Sequence, residues 1–211
     1  MNKVGAPERI TQNSVVKLFQ DELRYTYLGN WQYRENNSNI EAELLSAYLN
    51  RKDYSQTQIN KAIDKLTTTA KNYNDNLYTT NKNVYHLLRY GVKVKAAAGE
   101  NFETVHLINW NHFKDNDFAL AEEVTITING KHTKRPDIVL YINGIALGVL
   151  ELKRATVSIG DGIRQSIVNQ QDTFIQPFFA TIQLKGILSF WLLAKKWMSI
   201  LRLGRLKALT I

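Results

Sequence analysis

Three ionisable residues stand close together in the stretch RPDIVLYINGIALGVLELK, residues 135–153: Asp137, Glu151 and Lys153. Two carboxylates and an ammonium are the groups that metal-assisted phosphodiester hydrolysis uses. Mg2+ is a hard cation that takes carboxylate oxygen, keeps several of its waters and often needs only one or two protein carboxylates. The bound ion acidifies its water and offsets charge on the phosphate. A neighbouring lysine can orient that water or neutralise charge developing on a phosphoryl oxygen. Asp137 and Glu151 are therefore candidate metal ligands, and Lys153 the candidate catalytic ammonium. An Asp…Glu-x-Lys pattern taken alone is more often solvated charge at strand ends, so the elements that carry it must decide.

Those elements read as a hairpin. Two apolar, β-branched runs, Ile138 to Ile142 and Ile145 to Leu150, flank Asn143-Gly144. Asn-Gly is the strongest short-range hairpin signal, because both residues tolerate positive φ. If the turn centres on Gly144, Asp137 and Glu151 are equidistant from it and lie opposite each other. Glu151 and Lys153 are two apart and share a face. A loop with an even number of residues would shift the register by one and send Asp137 to the other face, so the expectation includes a three-residue loop with a bulge. Pro136 fixes φ and lacks an amide donor, which makes the first strand start abruptly at Asp137. Beyond the hairpin, a helix expected over residues 160–173 carries Arg164, Gln165, Asn169 and Gln170 at one-turn spacing, on a face able to look toward the charged end.

The remaining chain supplies the scaffold. Residues 11–24 have a helical pattern through Val15, Val16, Phe19 and Leu23, and Tyr25 to Asn37 reads as irregular. Ser38 to Glu41 is a capping box that opens a helix through Leu49, and Ser55 to Gln58 opens another. Asn72 to Thr80 reads as a polar connection. Val84 to Tyr90 reads as an amphipathic helix closed by Gly91. Strands follow over 92–95, 103–110 and 118–128, with Asn129-Gly130 as a second hairpin signal, and a last one over 178–182. A helical first ninety residues, a strand meander, then helix and strand predict an α/β fold.

Composition narrows the function. The 211 residues contain no cysteine, which excludes a disulfide framework, a thiolate zinc site and a cysteine nucleophile. The first residues lack the apolar core of a secretory signal, and no apolar run reaches the roughly 18 residues of a membrane span. A cytoplasmic protein with no membrane partner is expected. Net charge is +8, but residues 185–211 hold Lys185, Lys195, Lys196, Arg202, Arg205 and Lys207 and no acid. The other 184 residues hold 21 basic and 19 acidic groups, so bulk charge argues only weakly for nucleic acid. His86, His106, His112 and His132 show no metal-ligand spacing. Neither a G-x-x-x-x-G-K-[ST] phosphate loop nor a G-x-G-x-x-G fingerprint is present.

Pro136-Asp137, thirteen residues, then Glu151-Leu152-Lys153 match the PD-(D/E)xK nuclease motif. The wider run RPDIVLYINGIALGVLELKR followed by IGDGIRQ resembles the N-terminal nuclease domain of the R subunit of type I restriction–modification enzymes. So do FQDELRYTYLGNW, SNIEAELL and AEEVTI. The resemblance spans about Ser14 to Gln183. It implies a restriction-endonuclease-like mixed sheet flanked by helices, with a mainly helical N-terminal layer. It implies Mg2+-dependent cleavage of double-stranded DNA, with Asp137 and Glu151 as ligands, Lys153 as catalytic lysine and Glu41 as a further ligand on the first core helix. Arg154, Arg164 and Gln170 are implied as DNA contacts. Gln170 opens a glutamine–x3–tyrosine motif whose tyrosine position here is Phe174, a ring that stacks but cannot hydrogen-bond. Methylation and specificity subunits are implied as partners, and ATP as a cofactor of the full-length subunit only, its motor being absent from this chain.

Residues 1–184 are thus expected to form the nuclease domain. The tail, KGILSFWLLAKKWMSILRLGRLKALTI, departs from the family pattern. It reads as a basic amphipathic helix or, as favoured, as the product of a shifted reading frame starting near codon 184. Translating the coding DNA in the other two frames tests that reading. Two alternatives to the nuclease module stay open: a non-catalytic DNA-binding or assembly module of the same fold, and a free-standing repair-type nuclease.

Overall fold

The computed structural model describes residues 6–72, 74–97, 99–128, 132–152 and 180–183. Four α-helices lead among these residues: α1 (Ala6–Asp21), α2 (Ala42–Asn50), α3 (Gln56–Ala70) and α4 (Leu77–Tyr90), with a strand, β1 (Thr26–Asn30), between the first two. Then come β2 (Val92–Val94), β3 (Glu103–Val105), β4 (Phe118–Glu122), β5 (Ile126–Ile128), β6 (His132–Lys134), β7 (Ile138–Ile142), β8 (Ile145–Glu151) and β9 (Ala180–Gln183). The expected α/β class is what forms.

The main sheet has five strands in the order β1-β4-β7-β8-β9. Its centre, β4-β7-β8, is antiparallel, and each edge is parallel to its neighbour. β4, β7 and β8 are buried at every position, so both faces of the sheet are covered. One face sends Leu120, Ile138, Leu140, Ile142, Leu147 and Leu150 against Phe19, Leu45, Leu49, Ile59, Leu66 and Val84 of the helices. The other holds Ala119, Ala121, Val139, Tyr141, Ala146 and Val149 around Trp31, Val124 and Ile126. Burying each such aliphatic side chain contributes about 1.5–3 kcal/mol.

Local chemistry explains the helix limits. Ser55 and Gln58 form the complete capping box that the sequence predicts. The box at Ser38 does not form in full. The Glu41 carboxylate accepts from the Ser38 amide, but the Ser38 hydroxyl accepts from Ile40, and α2 begins only at Ala42. α4 starts seven residues earlier than Val84, because the Asn76 side chain caps the Thr79 amide. Gly91 ends it with φ 83°.

Three strands depart from expectation. β3 ends at Val105 instead of running to Trp110. β1 occupies a stretch whose exposed, non-alternating residues carry no strand pattern; pairing with β4, rather than burial, makes it a strand. The run 118–128 divides into β4 and β5, because Glu123 takes φ 51° and its amide turns to the Asp137 carbonyl.

The hairpin also closes differently from the expectation. Ile142 pairs with Ile145, so the loop is Asn143-Gly144 alone, with φ 52° and 80°. The odd residue lies within β8: the pairing shifts between Tyr141–Ala146 and Leu140–Gly148, leaving Leu147 as a bulge. Leu147 joins the helix-side core. Gly148, opposite Leu140, faces the same way, and a Cβ there would lie 3.3 Å from Leu140 Cδ1. Two consecutive residues facing one side are accommodated because the second has no side chain.

The turn docks on α2. The Glu41 amide donates to Gly144 O, the Ala146 amide donates to Asn39 O, and Ile40 bridges to Ile145. A Cβ on Gly144 would meet Leu44 Cβ at 2.7 Å and Glu41 O and Leu45 N at 2.8 Å. Gly144→Ala therefore combines a disfavoured φ with overpacking, and is expected to cost about 2–4 kcal/mol, read as a lower urea midpoint at unchanged m.

Candidate active site

β7 and β8 place the acids. Val139 pairs with Val149 and Ile138 with Leu150, the first pair on the Trp31 side of the sheet and the second on the helix side. Continuing that register by one residue sets Asp137 opposite Glu151, on the face of Val139 and Val149. Residues directly opposed in an antiparallel pair have Cβ atoms about 4.5–5.5 Å apart, close enough for both carboxylates to reach one ion. Without the bulge the register would slip by one, and Asp137 and Glu151 would not be opposed.

The open end of the hairpin is held by its backbone. Pro136 is buried and Asp137 half-buried, and Glu151 is 7% exposed. The Leu152 amide donates to Asp137 Oδ2 at 2.5 Å, which ties the two strand ends together through the carboxylate itself. On its outer side, β8 pairs with β9 in parallel, setting Glu151 beside Gln183. Two carboxylates on adjacent strands are oxygen donors of the kind that a hard cation such as Mg2+ takes. Lys153, Arg154, Arg164, Gln170 and Phe174 lie outside the described residues.

Glu41 is not brought together with Asp137 and Glu151. Its amide bonds to the turn at Gly144, at the far end of β8 from Glu151. Its carboxylate receives Arg34 at 2.6 and 3.1 Å in a bidentate pair. The Arg34 guanidinium lies 3.8 Å over the Trp31 ring, and Trp31 packs on Tyr141 at 5.6 Å. Glu41's hydrogen bond holds the Arg34 guanidinium above its ordinary pKa, and Tyr141 is raised first by burial and then by the Glu41 charge. The Mg2+ role that resemblance implied for Glu41 thus meets a carboxylate already neutralised by arginine, a strand's length away.

The acids that do approach Asp137 come from the end of β4. Gln12, on α1 and 4% exposed, sends Nε2 to Glu122 Oε1 at 2.9 Å, Glu123 Oε1 at 3.2 Å and the Asp137 carbonyl at 3.4 Å. Tyr27 donates its hydroxyl to Glu122 Oε2 at 2.6 Å. Arg9 lies 3.6 Å from Glu122, and Arg135 pairs with Glu123 at 3.0 Å. Glu122 faces the helices and is satisfied on both oxygens, so this network braces the start of β7. Burial, then the bond to Glu122, pushes the Tyr27 hydroxyl up to about 12. Gln12 carries a sequence signal of its role: it shares the helical stripe of Val15, Val16 and Phe19, where a polar residue needs a buried partner.

Residues 6–193 match the family model described as type I restriction enzyme R protein N terminus. The match runs past Leu184, where the sequence reading placed the end of the resemblance. A type I restriction enzyme HindI endonuclease subunit of Haemophilus influenzae is 29% identical over 116 residues, covering 54% of this chain. The aligned part is 11% of that protein's length.

Gln12→Ala leaves the buried Glu122 short of a donor and is expected to cost about 1–3 kcal/mol in denaturant unfolding. Tyr27 adds a pH dependence. Its folded pKa, about 12, exceeds the ordinary 10.0. Its contribution is therefore complete below pH 10 and is lost as pH rises toward 12. Unfolding midpoints taken across that range should fall less steeply in Tyr27→Phe than in the wild type.

Proposed function

Belonging to the family of type I restriction enzyme R protein N termini, the chain is, we propose, the module that cuts double-stranded DNA in such an enzyme. Asp137 and Glu151 act as the Mg2+ ligands. The observation that carries the proposal is the bulged register, which sets these two carboxylates opposite each other on one face. When bound there, Mg2+ supplies an acidified water and charge neutralisation at the scissile phosphate.

The chain's own groups have separate tasks in this reading. The Leu152 amide orients Asp137 by holding Oδ2. Glu151, buried at the end of β8, presents its carboxylate from a fixed strand. Lys153 follows two residues later and sets its ammonium against the phosphoryl oxygens as the water oxygen bonds to phosphorus and a P–O ester bond breaks. Arg154, Arg164 and Gln170 make the contacts that hold the DNA backbone and fix its register, without reading sequence. Arg34 pairs with Glu41, so in this reading Asp137 and Glu151 are the carboxylates that would hold the ion. The specificity subunit supplies site recognition, the methylation subunit joins the same complex, and ATP serves the full-length subunit only.

The test uses the full-length subunit assembled with its methylation and specificity subunits, ATP and Mg2+, on a supercoiled plasmid. Asp137→Ala, Glu151→Gln and Lys153→Ala should each lower the cleavage rate by about 10²–10³, with ATP hydrolysis retained. Calorimetry on this chain with Mn2+ should show binding lost in Asp137→Ala and kept in Glu41→Gln. Wild-type cleavage by Asp137→Ala would overturn the assignment. DNA binding without cleavage by the assembled wild type would favour the non-catalytic module.

A further inference from the structure

We propose that the outward face of α4 is a docking strip for the unpaired bases of single-stranded DNA. The inference does not rest on the cleavage chemistry of Asp137 and Glu151. α4 buries Val84 and Leu88 against the helix-side core. Its opposite face carries Lys82, Tyr85, His86 and Arg89 at i, i+3, i+4 and i+7, which share one side of a helix. Tyr78 lies one turn before Lys82, and Tyr90 follows Arg89.

The exposure of these rings needs a reason. Tyr78, Tyr85 and Tyr90 are 76%, 41% and 63% exposed, and they are three of the seven large apolar or aromatic side chains most open to water among the described residues. A solvent-facing helix surface ordinarily mixes charges of both signs. Residues 76–99 contain Lys82, Arg89, Lys93 and Lys95 and not one acid; Asp75 and Glu100 bracket them. The side chains are also arranged as a surface. The Tyr85 and His86 rings stand 6.3 Å apart at 88°, and His86 and Tyr90 5.5 Å apart at 52°. Arg89 lies 6.0 Å from the Tyr90 ring and 5.1 Å from that of Trp110, so its guanidinium is spread over aromatic faces.

Cations interleaved with open rings are the recognition chemistry of single strands: the cations track phosphates while the rings stack on bases. An acidic protein surface would be matched by the cations alone. A duplex hides its base faces and leaves the tyrosines without a partner. The strip from Tyr78 to Tyr90 is about 18 Å long at 1.5 Å per residue, enough for several contacts along a strand.

The experiment is fluorescence anisotropy of a labelled twenty-nucleotide oligo-dT with the whole chain in EDTA. Each stacking ring is worth about 5- to 150-fold, so Tyr85→Ala/Tyr90→Ala should weaken binding at least tenfold. Tyr85→Phe/Tyr90→Phe keeps the rings and should bind like the wild type, which separates stacking from folding damage. Lys82→Ala should make the log–log salt dependence shallower by about 0.7. Residues 185–211 add six basic residues and no acid, which attract polyanions without discrimination, so only the variant differences report on α4. The proposal is overturned if the alanine pair binds as the wild type does or if the phenylalanine pair loses as much as the alanine pair. It also fails if a duplex, or labelled polyglutamate, shows the same loss between the wild type and the alanine pair.

Discussion

The antiparallel pairing of β7 with β8 is the constraint on which the other features of the site depend. A strand pair with side-chain period two has only two outcomes at its open end, and one residue decides between them. Here the Asn143-Gly144 turn alone would produce the wrong outcome. The Leu147 bulge reverses it, and the absence of a side chain at Gly148 makes room for the reversal. The bulge places two consecutive residues toward the helices and returns every later residue of β8 to the opposite phase. Val149 and Glu151 reach the Trp31 side, Leu150 and Leu152 the helix side. The register and facing of the candidate acids thus follow from a single inserted residue.

The other end of the hairpin shows what polar groups do when the chain commits them to structure. Asn143 is fully buried, yet its amide reaches Leu107 O and Asn116 Oδ1, and its own oxygen accepts from the Asp117 amide. Glu41 is matched by Arg34, and the guanidinium is in turn stacked on Trp31. A buried carboxylate is tolerated when its charge is paired and its lone pairs are occupied. By the same rule Glu122 is occupied by Gln12 and Tyr27. Among the described residues, Glu41, Glu122 and Glu151 are the buried acids in or next to the main sheet. The pairs that Glu41 and Glu122 make connect a loop and a helix to the sheet.

Much of this was legible beforehand. The α/β class, the hairpin, the second capping box and the Asp137–Glu151 opposition follow from periodicity and spacing, because burial on a pleated strand writes itself into alternation. What was not legible has physical causes. β1 forms by pairing at a sheet edge, which leaves no hydrophobic trace. The break at Glu123 is a backbone choice that a glutamate does not advertise. The bulge sits where the run IALGVL is uniformly apolar, so no alternation marks the change of phase; Gly148 was the sole sign. The pairing of Glu41 with Arg34 leaves no sequence trace, because a motif fixes the residue type and not its neighbour, and Arg34 lies in a stretch without regular pattern. The partners of Gln12 are hidden because its three acceptors are more than a hundred residues away in sequence.

The parallel pairing of β8 with β9 carries a consequence for the order of assembly. Parallel neighbours cannot be joined by a tight turn, so β9 reaches β8 only after residues 153–179 have been synthesised. Until then IALGVLE is an open, apolar edge, the kind of strand that templates pairing between chains. Local hairpin closure is fast, whereas non-local parallel closure is slow. A nascent chain therefore carries its acids correctly opposed before that edge is shielded. For this interval its solubility depends on how soon four residues, Ala180 to Gln183, arrive to complete the sheet.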